Sequence, residues 1–141
     1  MSNQLIRQLK RHEGMKLKPY LCSSQKLTIG IGRNLEDVGI SEDEAETLLR
    51  HDIIEATNQL LNAFPWMGTF NDARISALIN FTFNVGIGTV KKFKITLGHL
   101  ENHAFEEAAD EMLTSRWSKQ VGSRSIEITD QIRTGKWKII G

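Results

Sequence analysis

Apolar residues recur every three to four positions along most of this chain, but between residues 18 and 34 the period falls to two. Near the start, Leu5, Ile6 and Leu9 form one stripe while Arg7, Lys10 and Arg11 face away from it, which predicts a short helix over residues 3–12. Ser2 or Asn3 is placed to cap this helix, and Gly14 to end it. Glu13 follows Leu9 by four residues and Ile6 by seven, so it continues the apolar stripe and not the polar face.

In the period-two stretch, Lys26 to Gly32 alternates, Ser23-Ser24-Gln25 reads as a turn, and Tyr20 and Cys22 fall on the strand before it. The alternation sets Ile29 and Ile31 on one face and Thr28, Gly30 and Gly32 on the other, where little bulk would impede a ligand or a second backbone. Ser41 and Glu44 form a capping box for a long helix reaching about Ala63, with Ala45, Leu48, Leu49, Ile53, Ala56 and Leu60 as its stripe. After the loop FPWMGTF, Asn71 caps a helix to about Val85 that is apolar nearly all round and belongs in the centre of the core. On that reading Phe83 is a core residue and Asn84 a helix terminator. Gly86 and Gly88 end the helix, and a shorter one follows around residues 90–100. An amphipathic helix then runs from Ala104 to about Ser115, and a last helix, capped by Ser123, stops before Gly135. The sum is a predominantly helical α+β fold: a small β-hairpin lobe at about 14–60, a long joining helix, and a helical lobe at about 1–13 and 61–141, with a cleft between them.

Length and charge narrow the function classes. The 141 residues suffice for one domain with a proper core. A net charge of +1 argues against a nucleic-acid binder, which would carry a basic face, and leaves Lys91, Lys92 and Lys94 as a solvated helix surface. No apolar run approaches the ~20 residues of a membrane span, so membrane insertion is not expected. The opening residues lack the apolar segment of a signal peptide, which predicts a cytoplasmic product. One cysteine permits no internal disulfide, and His12, His51, His99 and His103 form no zinc motif, so neither a metal nor another cofactor is expected.

The candidate chemistry lies near the N-terminus. On the apolar side of a helix C-terminus, both loss of water and the negative end of the helix dipole disfavour a charged Glu13. A carboxylic acid that keeps its proton can give it to a leaving oxygen, the general-acid half of glycoside hydrolysis. Taken singly, Glu13 is equally a surface glutamate, Cys22 a small apolar residue and Thr28 a strand residue. Their combination is more informative: a glutamate, eight residues, a cysteine, five residues, a threonine, then Ile-Gly-Ile-Gly.

This arrangement resembles the phage-type lysozymes, or endolysins, of glycoside hydrolase family 24, whose signature is Glu, eight residues, Asp or Cys, five residues, Thr and a glycine-rich strand. The resemblance extends to ARISALINFTFNVG at 73–86 and to the SRW and RTGKW words within 106–137. It implies a muramidase that cleaves the β-1,4 bond between N-acetylmuramic acid and N-acetylglucosamine in peptidoglycan. Glu13 would be the general acid, and Cys22 with Thr28 would manage a water on the far face of the sugar, inverting the anomeric carbon. The family's commoner residue at position 22 is aspartate; a thiol of pKa about 8.5 is only slightly ionised at neutral pH. Cys22 is then a thiolate nucleophile or base, or else the enzyme runs on Glu13 and a positioned water at reduced rate.

The resemblance further implies saccharide contacts at Asn34, Phe83, Asn84 and Thr96, and an arginine, Arg124, that approaches the catalytic glutamate. Arg33 replaces the family's usual histidine, which leaves open any ion pair built there. A monomer released to the wall by a holin is the family expectation. A lytic transglycosylase acting on the same bond, and a catalytically silent wall-binding or virion protein, are the competing readings.

Overall fold

The computed structural model describes residues 3–140, so a cap from Ser2 lies outside the described residues. Helix α1 (Asn3–Glu13) ends where Gly14 turns into the left-handed region at φ 74° and donates its amide to the Lys10 carbonyl. Strands β1 (Lys16–Leu21), β2 (Leu27–Gly30) and β3 (Arg33–Asn34) form an antiparallel sheet in that order. The first turn closes through Gln25, which donates to the Cys22 carbonyl with its own φ at 62°. The second turn corrects the simple hairpin: the alternation does not run on to Gly32, because Gly30 at φ 69° and Gly32 at φ 74° bend the chain into β3. Ile31 therefore sits on a turn and does not share a strand face with Ile29.

Helix α2 (Glu42–Ala63) starts on the expected capping box, with the Ser41 amide donating to Glu44 Oε1 at 2.9 Å and the Glu44 amide to Ser41 Oγ at 3.1 Å. Of its apolar stripe only Ala56 and Leu60 are buried. A 3-10 turn (Pro65–Thr69) leads to α3 (Asp72–Val85), whose first turn is capped when Asn71 Oδ1 accepts the Arg74 amide. The expected helix around 90–100 is two helices, α4 (Ile87–Val90) and α5 (Lys94–Glu101). Beyond α6 (Phe105–Leu113) stands α7 (Arg116–Val121), too short for a periodic signal, and then α8 (Ser123–Thr134). Gly122, not Ser123, occupies the cap position of α8, since the chain there needs φ 61°.

The chain divides into two compact units, Met1–Leu48 and Leu49–Gly141, so that α1 groups with the sheet. In the second unit Leu60, Met67, Phe81, Leu100, Met112 and Ile132 are buried among tilted and edge-on rings, with Phe81 centred 4.8 Å from Trp117 and 5.0 Å from Phe93. Arg74 fastens α3 to the end of α8 by donating to the carbonyls of Ile132 and Arg133, while its guanidinium lies 3.8 Å over the Phe105 ring. The first unit has no comparable core: among its described residues only Thr28 is buried. Met15, Leu17, Ile31, Val38 and Leu48 line an open groove of about 1130 Å³ there.

Candidate active site

Glu13 is the last residue of α1, and its carboxylate rests on the turn between β2 and β3. A Cβ added at Gly32 would stand 2.9 Å from Glu13 Oε2 and 3.0 Å from its Cδ, so the seat exists because position 32 has no side chain. Glu13 itself is exposed and α1 buries none of its residues, which corrects the expectation that its place on the stripe removes it from water. Gly32 precedes Asn34 by two residues, roughly 7 Å of strand, and Asn34 pairs with Thr28.

Cys22 is half-buried at the end of β1. Backbone hydrogen bonds at Lys26 and Ser24 hold its thiol below the ordinary cysteine range, against an opposing effect of burial, with a lesser contribution from the Thr28 hydroxyl. Thr28 is 3% exposed and donates its hydroxyl to the Lys26 carbonyl at 2.8 Å. Its one proton goes to that oxygen, which also accepts the Cys22 amide at 3.0 Å. Little of Thr28 faces solvent.

The turn that carries Gly32 is braced from behind. Arg33 makes a two-pronged ion pair with Glu44, at 2.7 and 2.6 Å, and also donates to the Gly39 carbonyl at 3.1 Å. Hydrogen bonds from Arg33 and then from the Ser41 amide lower the Glu44 carboxyl to about 2. An ion pair is thus present where the family's histidine is missing, with an acid that sequence reading had assigned only to the capping box. Asn34 lines the apolar groove, while its amide group is engaged with Asp37, accepting from the Asp37 amide at 3.0 Å and donating to Oδ2 at 3.1 Å.

The remaining candidates belong to the second unit. Phe83 is 46% exposed, which corrects its reading as core: α3 buries Ala77, Leu78, Phe81 and Thr82 and turns Phe83 outward. Asn84 does more than end a helix, since its Oδ1 accepts the Trp117 indole proton at 2.8 Å. One turn earlier Asn80 Oδ1 accepts from Arg124 at 2.7 Å, so two asparagines on one face of α3 hold a tryptophan and an arginine. Thr96 is 3% exposed with its hydroxyl unpartnered, leaving almost no surface for a sugar to touch. Among the described residues no helix is long and apolar enough to cross a membrane.

Known proteins resemble this chain over most of its length. The chain is 31% identical to "Probable T4-type lysozyme 1" of Dictyostelium discoideum, over 90% of this chain and 92% of that protein. It is 32% identical to an endolysin of Acyrthosiphon pisum secondary endosymbiont phage 1, over 79% of this chain and 75% of the relative. The endolysin of Bacillus phage B103 is also 32% identical, over 83% of this chain, which there spans 45% of the relative's length. The "Phage lysozyme" family model matches residues 10–131, a span that contains Glu13, Cys22 and Thr28. With that match covering most of its length, the chain belongs to the phage lysozyme family.

Proposed function

We propose that this protein is a phage endolysin that hydrolyses the β-1,4 bond between N-acetylmuramic acid and N-acetylglucosamine and thereby lyses the host. The family makes it a glycoside hydrolase of the lysozyme type, with peptidoglycan as substrate. The observation that carries the finer reading is the seating of the Glu13 carboxylate on Gly32, on the same small sheet as the Cys22–Thr28 pair.

Glu13, protonated, gives its proton to the glycosidic oxygen as the anomeric carbon–oxygen bond breaks. A water bonds to the anomeric carbon from the other face and loses a proton to the Cys22 thiolate. Solvent then returns a proton to Glu13 and removes one from Cys22. Inversion, with the water between acid and base, is what the family resemblance implies. Asn34 is assigned to saccharide contact from the first unit; Phe83, Asn84 and Arg124 of the second present ring, amide and cation suited to a glycan strand. The protein acts as a monomer, held in the cytoplasm until a holin admits it to the wall.

Clearing of permeabilised Gram-negative cells, with mass spectrometry of the products, tests this reading. Glu13→Gln is expected to lose about 10²–10⁴-fold in rate, the usual worth of a general acid. Cys22→Asp should stay active, thiol alkylation should abolish activity, and the products should carry reducing ends. A Cys22→Ser enzyme as fast as wild type would remove the thiol from the mechanism, and 1,6-anhydro products would make the enzyme a transglycosylase.

A further inference from the structure

After Gly135 closes α8 in the left-handed conformation, residues 136–140 turn back along that helix, and Lys138 reaches Glu127 at 3.6 Å. Between this segment and the outer face of α8 lies a groove of about 290 Å³. Its helical wall repeats at Ser123, Glu127, Asp130 and Thr134, a stripe of hydroxyls and carboxylates three to four residues apart. The opposite face of α8, with Ile128 and Ile132, is the one buried in the core. The other wall is Trp137, 56% exposed, its indole nitrogen donating to Asp72 Oδ2 at 3.3 Å. The position of Asp72 is itself set by the ties from Asn71 and Arg74 to the end of α8.

The Thr134 hydroxyl is taken by the Asp130 carbonyl and the Lys136 amide. Of the two exposed carboxylates, Glu127 also meets Lys138 and Asp130 lies 4.0 Å from Arg133. A large open ring whose edge is pinned by a hydrogen bond, facing those carboxylates, has the chemistry of a sugar site. The axial hydrogens of a pyranose lie flat on an indole face, and its hydroxyls donate to carboxylates. The volume is at the small end of the ~300–1,000 Å³ of ligand sites, the scale of a single sugar ring. The carboxylates Glu127 and Asp130 count against an anionic membrane surface as the occupant, despite Lys136 and Lys138 nearby.

We propose that the Trp137 groove is a second glycan-binding subsite, apart from the Glu13 sheet, that takes one N-acetylhexosamine ring of the wall polymer. The ligand class rests on the peptidoglycan reading above; the site does not require turnover. Holding a second stretch of glycan raises the local concentration of insoluble substrate without touching the reacting bond.

The test uses the full chain carrying Glu13→Gln, titrated with a soluble β-1,4 N-acetylglucosamine tetramer while the Trp137 indole proton is followed by NMR. A saturable shift of that signal is expected; followed at the Asp72 and Glu127 amides, the response should be lost in Trp137→Ala and retained in Trp137→Tyr. In the otherwise wild-type enzyme Trp137→Ala should slow clearing of insoluble sacculi about three- to tenfold and leave cleavage of short soluble glycan unchanged. An unmoved indole signal at millimolar tetramer overturns the proposal, as does a shift produced only by phosphatidylglycerol vesicles. A shift in a protein whose wild type cleaves nothing would sink the hydrolase reading and leave the subsite standing.

Discussion

The two compact units are held together by different means. The second unit buries Leu60, Met67, Met112 and Ile132 completely, and its rings contact one another at about 5 Å. The first keeps Leu17 83% exposed and Val38 70% exposed, and its order comes from strand pairing, two glycine turns and the Arg33–Glu44 ion pair. The acid and the thiol are in the unit without a core.

The strongest blow to that contrast is in the core. Phe81→Ala is expected to destabilise the second unit by about 3–5 kcal/mol, whereas Leu17→Ala should stay within about 0.5 kcal/mol, both read from thermal or urea unfolding. Equal losses would mean that the two units share one kind of stability. Next comes Gly32→Ala, where the new methyl meets the Glu13 carboxylate and the left-handed backbone adds strain. Activity should fall about 10–100-fold through displacement of the acid, with a folding cost of about 1–2 kcal/mol. A crystal structure of the variant with Glu13 unmoved would contradict this.

The smallest effect is acid loosening of the first unit. The Glu44 carboxyl is lowered from 4.5 to about 2, so its ion pair stabilises fully above about 4.5 and is lost as the pH falls toward 2. Amide protection at residues 30–34, corrected for the intrinsic pH dependence of exchange, should fall across that window, and Glu44→Gln should flatten the dependence.

Much of the fold was legible because its signals are local: the Ser41–Glu44 box, the Asn71 cap and Gly14 each act within a few residues. The turn at Gly30–Gly32 was not, because alternation looks the same whether a strand runs straight or folds back at a glycine. Helix α7 has six residues, too few to show a period. At the site, the spacing of Glu13, Cys22 and Thr28 gave the cast, and the family match spans all three. The Gly32 seat and the Glu44 brace depend on residues brought together across turns, which no linear pattern records. Phe83 was misread for a related reason: an almost uniformly apolar helix does not announce which side faces out.

The lone hydrogen of the Thr28 hydroxyl has one more implication. It is committed to the Lys26 carbonyl at 2.8 Å, and the Cys22 amide donates to that same oxygen at 3.0 Å, so one main-chain acceptor ties the cysteine to the threonine. The turn of residues 22–26 is thus pinned through a single oxygen shared by main chain and hydroxyl, and an oxygen added to the cysteine by an oxidant would press on a loop already fastened there.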